Sequence, residues 1–207
     1  MSNMAVRNGR EAISLAWNAG DGFPLGVGWG KRVMWVFIVS DGLLFAGFLG
    51  SYGLARLTSS QWPDHLEVFR IGLITIMTFI MISSSATMAM AVRAAQDGIR
   101  KAIPFLLLTL AGGLIFLAMQ SYEWMHFIND GGRLFANPWG APLFSAYFFL
   151  ITGFHGSHVL AGAVILAVSA MRCAAGRGSA NGVELAGRYW HSVNLVWVSV
   201  FTLFYLA

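Results

Sequence analysis

Charge is scarce in this chain: Asp, Glu, Lys and Arg together supply 11% of its 207 residues. Soluble domains run near a quarter, so an ordinary water-soluble globule is excluded. The single cysteine, Cys173, can form no internal disulfide and reads as a bystander at a helix end. Internal repeats, heptads and nucleotide-binding glycine loops are also missing. The first 30 residues mix Arg7, Arg10 and Glu11 with a glycine-rich stretch from Gly20 to Gly30. That is too polar for a secretory signal, which needs an apolar core after its basic start. The segment 1–32 is therefore expected to be a cytoplasmic or interfacial leader, with Trp17, Phe23 and Trp29 dipping into the membrane surface.

What fills the chain instead is apolar sequence, 57% by residue. Five stretches can be drawn, at about 33–55, 70–93, 103–128, 142–171 and 188–206. Each approaches or exceeds the ~20 residues that a helix needs to cross ~30 Å of hydrocarbon. The fold class expected is all-α: a polytopic membrane protein in which residues 33–207 form one bundle of five transmembrane helices. Ten of the thirteen Lys and Arg residues fall in the N-terminus and the second and fourth loops. The positive-inside rule then places the N-terminus in the cytoplasm and the C-terminus in the periplasm. The basic balance reflects this topology, so no nucleic-acid partner is expected. Gly42, Ala46 and Gly50 in span one, and Gly153, Ser157 and Ala161 in span four, form small-residue ladders suited to close helix approach. Trp62, Trp124, Trp139 and Trp190 fall at expected span ends, as an interfacial aromatic belt.

Ionisable groups inside the spans are few enough to weigh singly. Asp41 lies well inside span one, where a charge costs ~2.5–3.5 kcal/mol on insertion scales, so it must face protein or water. It reads as a proton or headgroup site, or as a polar contact between helices. Glu123 and His126 form a single Glu-x-x-His in span three. A di-metal carboxylate bundle needs two such pairs and two further Glu, and only Glu184, near a loop, is to spare. His155 and His158 lie three apart inside the charge-free run Pro142–Met171, one turn apart on a helix. With His191 in span five they could ligate haem or metal, or act as polar seams joining helices. The first reading leaves open a cytochrome b-like or metal-binding oxidoreductase subunit.

Four motifs in order carry a resemblance. Ser40-Asp41-Gly42-Leu43-Leu44-Phe45, Tyr122-Glu123-Trp124-Met125-His126, Gly153-Phe154-His155-Gly156-Ser157-His158-Val159 and Tyr189-Trp190-His191-Ser192-Val193-Asn194-Leu195-Val196-Trp197 span most of the chain. Together they resemble subunit III of the haem–copper terminal oxidases, in the five-helix bacterial form. Glu184 matches the acid in the loop before the closing motif.

The resemblance implies an accessory subunit of a respiratory oxidase, in a complex that reduces oxygen and translocates protons across the bacterial inner membrane. It implies no active site and no cofactor in this chain. The haems and copper would lie in the partner subunit I, with subunit II in the same complex and a larger respiratory supercomplex as a further candidate assembly. Structural phospholipids and support of proton uptake are implied as well. Asp41 takes the place of the family's intramembrane carboxylate, Asn194 replaces a usual Asp, and Ser192 stands where an aromatic is usual. Cytochrome c and quinol both remain open as electron donor.

The expected polar sites are then Asp41, His158, His191 and Asn194 between spans one, four and five in the inner half, with Glu123 and His126 in a separate outer contact. Arg93, Arg100, Lys101 and Arg188 are candidate anchors for anionic lipid headgroups, or ordinary topology charges.

Overall fold

The computed structural model describes residues 29–59, 61–64 and 68–206. Residues 1–28 of the leader expected at 1–32 lie outside them, as does His65, and its last four residues, 29–32, already belong to the first helix. The described chain is helical, in the order α1 (Trp29–Thr58), α2 (Ile71–Asp97), a short 3₁₀ turn (Ile99–Ala102), α3 (Ile103–Asn129), α4 (Pro142–Ala174) and α5 (Ala180–Val200). A π-helical turn, Phe201–Leu206, continues α5. No cis peptide occurs among the described residues.

The described residues divide between Asp41 and Gly42 into two units. In the first, the guanidinium of Arg32 lies 4.6 Å from the centre of the Trp29 ring, one turn away. In the second, α2, α3, α4 and α5 pack as a closed ring in which α3 touches α2 and α4, and α5 touches the same two. Short connections force neighbours to run antiparallel. The core is built from Ile74, Met77, Met81 and Met88 of α2, Leu106 and Phe116 of α3, Phe144, Phe148 and Val159 of α4, and Trp190, Trp197 and Val200 of α5. Within each helix successive residues of this set are 3, 4, 7, 10 or 11 apart, steps that keep side chains near one helix face. Large apolar side chains such as Phe79, Leu108, Val164 and Leu195 point outward, as they do where the solvent is lipid.

Local chemistry explains where helices start and stop. Pro104 lies in the first turn of α3, where its missing N–H costs little. Gly98, at φ 150°, turns the chain out of α2. The Arg177 N–H reaches back 2.9 Å to the Arg172 carbonyl across Gly176, at φ 68°, and closes α4. Ser179 caps α5 by accepting from the Gly182 N–H at 3.1 Å.

The first four helices are long and apolar enough to cross a membrane. The fifth carries Asn181, Glu184, Arg188, His191 and Asn194, and begins eight residues before the stretch 188–206 expected from hydropathy. That earlier start corrects one reading. Trp190 is not at an interface but fully buried within α5. Its ring lies where a Cβ on Gly113 or Gly162 would stand, 2.5 Å and 2.9 Å from its nearest atoms. Two glycines thus let the largest side chain wedge between α3 and α4.

Candidate functional site

Polar side chains on these helices are distributed as a series of seams. The richest joins α2 to α5: the Trp190 indole N–H donates to Ser84 Oγ at 3.1 Å, and that of Trp197 to Thr78 Oγ1 at 3.0 Å. Next to the first of these, His191 Nδ1 and Ser85 Oγ share a 2.6 Å hydrogen bond. Nothing in span two by itself marks Thr78, Ser84 and Ser85 as partners for another helix. The signal available was the seven-residue step from Trp190 to Trp197, two turns on one face. Thr87 and Thr109 join α2 to α3 at 2.8 Å. Gln120 Nε2 donates to the Thr152 carbonyl at 3.1 Å, and the Trp124 N–H to Thr152 Oγ1 at 3.0 Å, joining α3 to α4. Tyr189 OH donates to the His158 carbonyl at 3.0 Å, joining α5 to α4.

The two histidines of α4 part company. His155 is fully buried, with neither ring nitrogen hydrogen-bonded, against Phe116, Trp197 and Phe45 at centroid distances of 5.6, 5.0 and 6.3 Å. His158 donates from Nδ1 to the Phe154 carbonyl in its own helix at 2.9 Å, and its ring lies 5.9 Å from that of Phe45. His191 meets Ser85 of α2, a span-two partner that the expected set of inner contacts did not include. Asn194 donates to the Trp190 carbonyl at 2.9 Å and stays within α5. Asp41, near the middle of α1, is 9% exposed. Among the described residues no three His, Cys, Asp or Glu side chains are grouped to hold a metal ion.

Glu123 and His126 take separate partners. Glu123 Oε2 accepts from Tyr205 OH at 3.4 Å, whereas His126 Nε2 lies 3.5 Å from Asp130 Oδ2. Glu184 binds Arg188 at 2.7 Å, one turn apart near the start of α5. Arg93, Arg100 and Lys101 are exposed near the second loop.

A second feature is a cleft of about 840 Å³ between the 42–58 part of α1 and α5. Phe45, Leu49 and Gly50 line one side, Leu195, Ser199 and Leu203 the other, with Arg56 toward the first-loop end. The glycines of the span-one ladder, expected to seat a helix backbone, border this open space: a Cβ on Gly42 or Gly50 would meet nothing within 4 Å. In this unit α1 is held by aromatic contacts, Phe45 with Phe154 at 5.3 Å and Tyr52 with Phe204 at 4.7 Å.

These features define a bundle of long apolar helices joined by polar contacts across their interfaces. The family model for cytochrome c oxidase subunit III matches residues 21–207. The chain is 35% identical to the cytochrome c oxidase subunit 3 of Thermostichus vulcanus over 176 residues, 83% of this chain and 84% of that one. It is 31% identical to that of Corynebacterium diphtheriae over 180 residues, with 82% and 84% covered. Similarity extends to a probable quinol oxidase subunit 3 of Staphylococcus aureus, 30% identical over 185 residues with 85% and 88% covered. The chain belongs to the subunit III family of the haem–copper oxidases, as an accessory subunit of such an enzyme.

Proposed function

We propose that this chain packs beside the redox subunit I of a terminal oxidase in the bacterial cytoplasmic membrane, with subunit II in the same complex. It supplies no electron carrier of its own; it stabilises subunit I, holds phospholipid and supports sustained proton uptake. The observation that carries the lipid part is the α1–α5 cleft. Its walls are almost wholly apolar and Arg56 lies toward one end, the arrangement that suits acyl chains below an anionic headgroup. Arg93, Arg100 and Lys101 are exposed where inner-leaflet headgroups would lie, whereas Arg188 already shares its charge with Glu184. Asp41 is the carboxylate through which proton uptake would be supported. Cytochrome c and quinol both remain candidate donors, and a larger respiratory supercomplex a candidate setting.

An affinity-tagged chain, extracted in mild detergent, tests this reading. Subunit I and its haem absorption should co-purify with it. Asp41→Asn should leave that spectrum intact while turnover fades sooner. Recovery of the folded chain without any haem-bearing partner overturns the assignment to subunit I, and undiminished turnover in Asp41→Asn overturns the role of that carboxylate.

A further inference from the structure

The seams and the cleft leave one buried acid unused. Glu123 is 5% exposed, and Oε1 has no hydrogen-bond partner. Its other oxygen meets only the Tyr205 hydroxyl, at a long 3.4 Å, which the π-helical turn at the end of α5 brings inward. No cation pairs with it among the described residues. The nearby Arg70 instead donates to Tyr122 OH at 3.2 Å, and His126 turns to Asp130. Beside Glu123 lies a cavity of about 10 Å³, bounded by Arg70, Tyr122, Glu123, His126 and the apolar Phe69 and Phe127. A cavity of ~10–15 Å³ takes one water, provided that two or more polar groups reach it.

We propose that Glu123 and one water in this cavity form a proton-exchange site, open to the aqueous phase at the first-loop end of the bundle. Hydrogen-bond accounting supports it. As a carboxylic acid, Glu123 donates from Oε1 to the water and accepts from Tyr205 at Oε2, so both oxygens are used. The water in turn faces His126, Tyr122 and Arg70, which edge toward the surface. The O–H bond at Oε1 breaks as the proton passes to the water; the water releases a proton to bulk, and the carboxylate left behind accepts from the same water. The charged and titratable groups around it are Arg70 at the start of α2, Tyr122, His126 and Asp130 on and after α3, and Tyr205 after α5. By the charge count this end faces outward, so the site is distinct from proton uptake through Asp41. It rests on the membrane topology adopted above and not on the identity of the partner.

Infrared difference spectroscopy of the chain, purified in whatever complex it leaves the membrane with, tests the site. A carboxylic acid C=O band should be present in the wild type and absent from Glu123→Gln. It should move to higher frequency in Tyr205→Phe, which removes a hydrogen bond from the carboxyl, and to lower frequency soon after transfer to D₂O. Should Glu123→Gln fail to assemble, the Tyr205→Phe and D₂O shifts still identify the band. A wild type that loses only carboxylate absorption on the Gln substitution overturns the proposal. So does an acid band that D₂O never shifts, since that carboxyl would be sealed from water.

Discussion

His155 is surrounded by rings rather than by donors or acceptors. A buried imidazole with both nitrogens unpaired costs about 1–3 kcal/mol relative to an apolar ring of similar shape. His155→Phe should therefore be tolerated, with unchanged haem absorption in the complex and an equal or higher unfolding temperature by circular dichroism. A lost Soret band in that variant would restore the haem-ligand alternative. Spacing alone put His155 and His158 on one face, and that much was legible. Which neighbour each ring meets was not, because a three-residue step on a helix spans 300° and leaves the two rings 60° apart. That angle is enough to aim His155 at Trp197 and His158 at Phe45.

At the scale of helices, the presence and order of all five elements could be read from apolar length, because a membrane helix must satisfy its own backbone. Spans one to four were found that way. The start of α5 was not, since Asn181, Glu184 and Arg188 interrupt the hydropathy signal. Ser179 and the Glu184–Arg188 pair, one turn apart, were the local marks of a helix beginning earlier. The consequence of that error was to misplace Trp190. Its wedge between α3 and α4 depends on the missing side chains of Gly113 and Gly162. Gly113→Ala should cost about 1–3 kcal/mol through overpacking and lower the unfolding temperature of the detergent-solubilised protein. Gly47→Ala, where a Cβ meets nothing, is the matched control and should not. Equal melting of the two variants would show that the wedge is loose.

For the molecule as a whole, the cleft is the feature that the sequence disguised. Gly42, Ala46 and Gly50 read as a helix-packing ladder, and small residues do serve that end in membranes. The same residues also make room, and only the position of α5 decides between the two. If the cleft holds lipid, Gly50→Trp should fill part of it and lower the phospholipid phosphorus retained per chain after detergent washing. Gly72→Trp, at another position open to space, should leave the amount unchanged. Equal phosphorus in both variants would show that the lipid is held elsewhere. There is also a consequence in time. The ring contacts that hold α1 in this unit include Tyr147, Phe154 and Phe204, so this helix meets the last of them roughly 150 residues after it is made. At ~5–20 residues per second that is a wait of about 8–30 s. Through it, α1 must persist in the bilayer by apolar length alone, with Asp41 already inserted. Biogenesis therefore asks of this helix an independence whose trace persists in the apolar side chains it still exposes, Leu43, Leu54 and Leu57 among them.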